Sequence, residues 1–173
     1  MKKVLFIFGT RPEAIKMAPV INAFKADESN FQTVVAVTAQ HREMLDQAMD
    51  MFGITAHCDL DLMSPDQSLT RVLQASIGGI GDVLMKERPD MVLVQGDTTT
   101  ALSGAQAGYF MRIPVGHVEA GLRSGDLDAP FPEEMNRILI SRLAKWHFAP
   151  TELASDNLLN ELVPSKNIHV TGN

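Results

Sequence analysis

The sequence predicts an α/β fold built around one mostly parallel β-sheet, and three observations support this prediction. Short apolar or β-branched runs recur along the 173 residues. Stretches with helical periodicity separate these runs, which indicates strands joined by right-handed crossovers through helices. Polar segments with glycine or threonine follow several of the runs, and in an open α/β sheet such segments meet at the edge where ligands bind.

Three strands and three helices are predicted in the first half of the chain. The strands are a buried apolar run, a β-branched run and a weaker third run, at residues 4–8, 33–38 and 56–60. Apolar residues at three- and four-residue spacing place helices at residues 14–24 and 41–52, and Gly53 ends the second of them. A long third helix reaches residue 84 and follows Ser64-Pro65-Asp66-Gln67, which matches a capping box.

Four strands alternate with three helices in the second half. The strands are predicted at residues 91–95, 113–117, 146–149 and 167–171. The helices are predicted at residues 98–111, 132–145 and 150–162. Proline and two glutamates at residues 132–134 suit the first turn of a helix, where the backbone dipole favours negative charge. Because the chain stops where the last strand ends, we expect it to be part of a longer protein.

Composition and charge narrow the range of functions. The chain is 45% hydrophobic and 21% charged, which is ordinary for one globular domain with a sizeable core. A formal net charge of −6 argues against nucleic acid or an anionic membrane as a partner. No apolar run reaches the ~18–20 residues that a membrane span needs. The single Cys58 has no disulfide partner, so we expect a reducing compartment, the cytoplasm.

The longest connection of the predicted fold joins the strand at residues 113–117 to the helix at 132. Connections of this kind typically need ~2–6 residues, and this one is longer and highly charged. It carries Glu119 and Arg123, and the following helix adds Glu133 and Arg137, so we interpret the segment as the floor of an active site. Carboxylates brought close together can divide the roles of general acid and general base. The alternative is an ordinary i, i+4 salt bridge between Glu133 and Arg137.

Two further strand ends carry candidate residues. After the first strand, Arg11 at the start of a helix could receive an anion, and Lys16 adds positive charge one turn later. The alternative is that Thr10 and Glu13 only form a capping box and that the cations are solvated. After the strand at residues 91–95, Asp97 is placed for proton transfer, or it simply caps the next helix.

A fourth strand end carries Gln40, His41 and Arg42, which together could hold a polar ligand or could belong to a turn and a helix start. No metal site is predicted, because the pair His117 and Glu119 lacks a third ligand at a suitable spacing. A dinucleotide cofactor is not expected either, since the glycine pattern of such sites is absent after the first strand.

Together the strand ends resemble one enzyme family. The segments that carry the resemblance are FGTRPEAIKMAP, VTAQHREMLDQ, QGDTTT, and IPVGHVEAGLRSGD followed by PFPEEMNR. They are similar to the N-terminal half of the non-hydrolysing bacterial UDP-N-acetylglucosamine 2-epimerases. The resemblance implies a doubly wound Rossmann-like domain over residues 1–173, one half of a two-domain GT-B-type architecture. The C-terminal UDP-binding domain is then absent from this chain, which would be inactive alone.

The family resemblance also implies an activity and partners. Members interconvert UDP-N-acetylglucosamine (UDP-GlcNAc) and UDP-N-acetylmannosamine (UDP-ManNAc) through elimination and re-addition of UDP, with 2-acetamidoglucal as the intermediate. They use neither a cofactor nor a metal, serve cell-envelope polysaccharide biosynthesis and usually form homodimers. The alternatives are a hydrolysing epimerase, a related GT-B glycosyltransferase, or a non-catalytic module that binds nucleotide sugars.

Roles transfer to this sequence position by position. The resemblance implies acid and base carboxylates at Asp97, Glu119 and Glu133, and substrate-binding cations at Arg11, Lys16, Arg123 and Arg137. It also implies a second, allosteric UDP-GlcNAc near Gln40, His41 and Glu133. In some members that bind this regulator, a glutamine occupies the position of Glu43.

Overall fold

The computed structural model describes residues 1–39, 42–62 and 67–173. The strands are β1 Lys2–Phe8, β2 Phe31–Val37, β3 Cys58–Asp59, β4 Met91–Gln95, β5 Val115–Val118, β6 Trp146–Ala149 and β7 Ile168–Val170. The helices are α1 Arg11–Ala26, α2 Arg42–Met51, α3 Leu69–Glu87, α4 Thr99–Phe110, α5 Glu133–Leu143 and α6 Glu152–Asn160, with a 3₁₀ turn at Ser165–Asn167. The predicted α/β fold is confirmed.

All pairings in the sheet are parallel, in the order β3-β2-β1-β4-β5-β6-β7. The strand order reverses between β1 and β4, which are neighbours in space although α3 carries the chain from one half to the other. Ile7 pairs with Val94, and Gln95 pairs with Val118, so β1, β4 and β5 end at nearly the same level. Ligands of doubly wound sheets bind in the crevice at such a reversal.

The core lies on both faces of the sheet because β1 alternates its side chains between them. Phe6 and Phe8 belong to the cluster packed with α1 and α2, whereas Leu5 and Ile7 belong to the cluster packed with α3, α4 and α5. All four side chains are fully buried. Each contributes about 1.5–3 kcal/mol of hydrophobic stabilisation, which makes the centre of the sheet a rigid base for the strand ends.

Some predicted boundaries differ from the observed ones. The third strand has only two residues, because it lies at the sheet edge and pairs with β2 alone. The long helix begins at Leu69, and its N-cap is Ser68, whose hydroxyl accepts a hydrogen bond from the Arg71 N–H. Three residues of the predicted capping box, Ser64, Pro65 and Asp66, lie outside the described residues. Within the described ranges, no helix is long and apolar enough to cross a membrane.

Candidate active site

The candidate site lies at the carboxyl ends of β1, β4 and β5. Arg11, Asp97 and Glu119 each follow one of these adjacent strands, so they lie at the same edge of the sheet. Arg11 is the first residue of α1, is exposed, and forms no ion pair with any described residue. A helix N-terminus with an unpaired guanidinium suits an anionic group of a ligand.

Asp97 is held from two sides by α5. Its carboxylate accepts hydrogen bonds from Nε and Nη2 of Arg137, the former at 3.1 Å. Its carbonyl accepts a hydrogen bond from Asn136 Nδ2 at 2.9 Å. The N-cap of α4 is Thr98, whose hydroxyl accepts from the Ala101 N–H, so the capping alternative for Asp97 is wrong. The carboxylate is therefore oriented by a guanidinium fork at the sheet edge.

Glu119 is paired with Lys16, which reaches across from α1. The Glu119 side chain is 10% exposed, so most of it is removed from solvent. Its backbone has φ of +65°, the left-handed region that a non-glycine residue seldom occupies. Such strain costs about 1–3 kcal/mol and is concentrated at functional positions. The turn aims the carboxylate at the same edge as Asp97.

Arg137 uses a different glutamate from the one predicted. Its Nη1 donates to Glu134 Oε2 at 3.0 Å, whereas Glu133 forms no ion pair with the described residues. Glu134 is 1% exposed and also accepts from the N–H groups of Ser124 and Gly125. The expected i, i+4 salt bridge is thus replaced by an i, i+3 pair that fastens the long loop to α5.

Arg123 is not an open cation, because its guanidinium is hydrogen-bonded within the long loop, to α5 and to the residue that follows α6. Its guanidinium donates two hydrogen bonds to the Glu161 carboxylate, one to the Leu122 carbonyl and one to the Ser141 hydroxyl. The adjacent guanidinium lowers the pKa of Glu161. These contacts tie the loop to α5 and to the end of α6, so the expectation that Arg123 binds substrate needs correction.

Glu13 is a buried carboxylate that sequence reasoning assigned only to a capping box. The box is present, since Glu13 Oε2 accepts from the Thr10 N–H at 2.8 Å. The same oxygen accepts from the Gly9 N–H at 3.0 Å, and Oε1 is bonded to the Thr98 hydroxyl at 2.7 Å. Burial raises the pKa of Glu13. The contact to Thr98 joins α1 to the loop that carries Asp97.

The backbone at Gly9, directly after β1, packs closely against two threonine side chains. A Cβ atom there would lie 2.2 Å from Thr38 Oγ1 and 2.7 Å from Thr100 Oγ1, so only glycine fits. These two hydroxyls are themselves hydrogen-bonded at 2.8 Å and buried. The threonines that follow the strands therefore support the loop from below.

His117 and His147 lie side by side in the sheet beneath the site. Burial lowers the pKa of His117 to about 3 and that of His147 to about 4, so both rings are neutral at pH 7. His117 Nε2–H donates to the Gly96 carbonyl at 2.7 Å, which fixes the end of β4. Among the described residues, no cluster of three or more histidine, cysteine or acidic side chains could hold a metal ion.

The structure describes only some of the positions that were predicted to bind a second nucleotide sugar. Gln40 and His41 lie outside the described residues. Glu43 follows in α2 and is exposed, and Glu133 begins α5 with a partly exposed side chain.

The arrangement supplies two carboxylates that adjacent strands bring to one edge, each oriented by a cation, beside an exposed guanidinium. It can abstract and return a proton while an anionic group binds nearby. Sequence reasoning missed Glu13, Thr98, Glu134 and Asn136 as members of this network. The signal available for Glu134 was its place in the first turn of a helix, but its partners lie in a loop and could not be read from spacing.

Comparison with known proteins identifies relatives of this chain. The sequence model of the UDP-N-acetylglucosamine 2-epimerase family matches residues 22–173. A UDP-N-acetylglucosamine 2-epimerase of Yersinia pestis is 57% identical over 171 residues, which cover 99% of this chain and 45% of the relative. A crystal structure of UDP-GlcNAc 2-epimerase from Neisseria meningitidis bound to UDP-GlcNAc has a TM-score of 0.96 at 53% identity, covering 99% of this chain and 46% of that one.

A more distant likeness concerns the fold alone. A lipopolysaccharide outer core galactosyltransferase aligns with a TM-score of 0.71 at 13% identity, with 45% of its chain covered. This is consistent with one half of a two-domain GT-B-type fold. The chain spans about half the length of the relatives it matches. The match over most of the sequence shows that the chain belongs to the UDP-N-acetylglucosamine 2-epimerase family.

Proposed function

We propose that the complete protein interconverts UDP-GlcNAc and UDP-ManNAc without hydrolysing them. The observation that carries this proposal is the pair Asp97 and Glu119, presented by adjacent strands beside Arg11. Membership of the family and the Neisseria relative bound to UDP-GlcNAc support the choice of substrate.

The reaction defines what the site must do. A base removes the C2 proton, the C1–O bond breaks, and UDP leaves with the bonding electrons, which gives 2-acetamidoglucal. UDP then attacks C1 while an acid returns a proton to C2 on the opposite face. The C2 proton is weakly acidic, so positioning of the base and stabilisation of the leaving diphosphate both have to lower the barrier.

We assign proton transfer to Asp97, Glu119 and Glu133. Arg11 contacts the diphosphate, because it is the exposed cation at the start of α1. Lys16 is a second diphosphate contact through its place one turn later, while it also orients Glu119.

Arg137 contacts substrate and orients Asp97. Arg123 is given no part in substrate binding, because its hydrogen bonds to Glu161 and Ser141 serve the loop. The regulatory site near Gln40, His41 and Glu133 stays a hypothesis, to be tested by adding UDP-GlcNAc to assays that start from UDP-ManNAc.

The proposal extends to partners and location. A second domain supplies the uridine contacts and closes the site, as expected from relatives about twice as long as this chain. The working form is a homodimer, UDP is the transient product, and the single Cys58 is consistent with the cytoplasm.

Product analysis with the complete gene product tests the activity. With UDP-GlcNAc as the only substrate, we expect UDP-ManNAc to form until the two sugars reach a constant ratio. Release of UDP with free N-acetylmannosamine would identify a hydrolysing epimerase instead. Transfer of the sugar to an acceptor would identify a glycosyltransferase. Binding without turnover would leave only a nucleotide-sugar-binding module.

Replacing one carboxylate tests the assignment of the base. In Asp97→Asn we expect turnover to fall by about 10²–10⁴-fold, the usual contribution of acid–base catalysis, because the amide cannot accept the proton. Asp126→Asn is the matched control, since Asp126 is exposed in the long loop and, among the described residues, its carboxylate accepts a hydrogen bond only from the Asp128 N–H. Turnover close to that of the control would remove Asp97 from the mechanism.

A further inference from the structure

Glu13 is a buried carboxylate near the site, and the reaction assigns no role to it. It is 2% exposed, and no lysine, arginine or histidine among the described residues forms a salt bridge with it. Burying a carboxylate without a cation is unfavourable unless hydrogen bonds compensate. Capping a helix does not require burial, because a capping glutamate satisfies the N-cap N–H equally well at the surface. The position of Glu13 therefore needs another explanation.

The hydrogen bonds of Glu13 divide between two loops. Oε2 accepts from the N–H groups of Gly9 and Thr10 and from the Thr10 hydroxyl, at 2.8–3.0 Å. Oε1 is bonded to the Thr98 hydroxyl at 2.7 Å. One oxygen thus holds the loop that ends in Arg11, and the other holds the loop that carries Asp97.

Thr98 passes this contact to Asp97. Its hydroxyl is bonded to Glu13 and also accepts from the Ala101 N–H at 3.0 Å, so Glu13 fixes the Thr98 rotamer and the start of α4. Asp97 is the preceding residue, and its carbonyl accepts a hydrogen bond from Asn136 Nδ2 on α5. The backbone of Asp97 is therefore held between α1 and α5.

The same turn of α1 reaches the second carboxylate. Lys16 lies three residues after Glu13, on the same side of the helix, and pairs with Glu119 at the end of β5. The first turns of α1 thus contact both loops that carry the proposed acid and base. A shift in the position of α1 would therefore alter the distance between the Asp97 and Glu119 carboxylates.

We infer that Glu13 is a positioning residue, which sets the Asp97 carboxylate relative to the anion-binding start of α1 by way of the Thr98 hydroxyl. This inference rests on the proposed epimerase function. Glu13 does not exchange a proton with substrate in this scheme. Its contribution is to geometry, to which turnover is sensitive: a misplacement of about 1 Å can cost a hundredfold in rate.

The test uses the complete gene product and steady-state kinetics with UDP-GlcNAc. In Glu13→Gln, one of the two acceptor oxygens becomes an NH₂ group, which cannot accept a hydrogen bond, so only one of the two loops keeps its acceptor. We expect kcat to fall by about tenfold to a hundredfold. We expect KM to change by less than about threefold, because the contacts that bind substrate in the ground state are retained.

Variants of Thr98 separate positioning from general loss of structure. Thr98→Val should lower kcat like Glu13→Gln, and Thr98→Ser, which keeps the hydroxyl, should restore it. Thr151→Val is the matched control, because Thr151 caps α6 through the same kind of hydrogen bond, from the Ala154 N–H at 3.1 Å, and no hydrogen bond joins it to Glu13 among the described residues. It should leave kcat unchanged. The double variant Glu13→Gln/Thr98→Val should be no slower than the slower single variant, since both remove one shared contact.

Each remaining outcome decides against the inference. A wild-type kcat in Glu13→Gln, additive losses in the double variant, or an equal loss in Thr151→Val would overturn the positioning role while leaving the epimerase assignment intact. Absence of epimerisation by the wild-type protein would overturn both. If Glu13→Gln does not fold, the comparison of Thr98→Val with Thr98→Ser and Thr151→Val still decides.

Discussion

The backbone at Glu119 is strained, and its side chain is one of those that we propose to transfer a proton. Its φ of +65° follows directly after β5, and the flanking residue Ala120 is anchored by its N–H to the Phe148 carbonyl at 3.0 Å. The surrounding sheet thus imposes a conformation that costs about 1–3 kcal/mol for a glutamate. Asparagine adopts this conformation more readily. Stability and catalysis therefore favour different residues at this position.

In the complete gene product, we expect Glu119→Asn to abolish the proposed epimerase activity without making the protein less stable. Relief of strain should offset the lost contact to Lys16, so the free energy of unfolding in urea should stay equal or rise by up to about 1 kcal/mol. Leu162→Asn is the control, because Leu162 also has φ of +65° and is 87% exposed at the end of α6. It should gain stability with unchanged activity. A loss above about 1 kcal/mol in Glu119→Asn would show that the ion pair outweighs the strain.

Sequence reasoning found the residue types at the strand ends but not their partners. Asp97, Glu119 and Arg11 were predictable because parallel strands bring their carboxyl ends to one edge. The pairing of Arg123 with Glu161 was not, since the two are 38 residues apart and meet only through the fold of the long loop. Glu13 was recognised as a cap, whereas its burial depends on how close α1 comes to β4.

Strands and helices were more predictable than side-chain partners. Each of the seven predicted strands and six predicted helices has a counterpart, because apolar runs and amphipathic stretches alternate along the whole chain. The order of the strands required the coordinates, since the rule for right-handed crossovers leaves open where the sheet reverses.

The same loop that carries Glu119 also packs against α6: a Cβ atom at Gly121 would lie 2.1 Å from the Ala154 carbonyl oxygen.

Gly121→Ala should therefore destabilise the protein strongly. The new methyl group meets backbone, which cannot move aside, and φ of +89° is unfavourable for alanine. We expect a loss of about 2–5 kcal/mol in the free energy of unfolding, measured by urea denaturation. Gly125→Ala is the matched control in the same loop, with φ of +82° and no atom within 4 Å of the added Cβ. It should cost only about 1–2 kcal/mol, and an equal cost in both variants would rule out the clash with α6.

The fold as a whole buries two neutral histidines on the neighbouring strands β5 and β6. Because burial lowers the pKa of His117 to about 3 and that of His147 to about 4, the folded state stays unprotonated at pH values where the unfolded state, with a pKa near 6.5, takes up protons. Stability then falls as the pH is lowered through 6.5. The raised pKa of Glu13 acts in the opposite direction, since its contribution is lost as the pH rises.

We expect the free energy of unfolding to decrease between pH 6.5 and pH 5. Each histidine contributes at most about 1.4 kcal/mol per pH unit to this slope. In His147→Gln one of the two contributions is removed, so the slope measured by urea titrations should fall to about half. Equal slopes in the variant and the wild type would indicate that His147 is protonated in the folded state.

The central position of β1 has a consequence for how the chain opens. Its neighbours on both sides are strands, and Leu5, Phe6, Ile7 and Phe8 have no exposed surface. Amide protons of this strand can exchange with solvent deuterium only when the entire sheet comes apart. The two-residue β3 and the partly exposed β7, at the two margins, can release theirs through small local openings. An exchange time course should therefore label the molecule from its flanks inward, with β1 last.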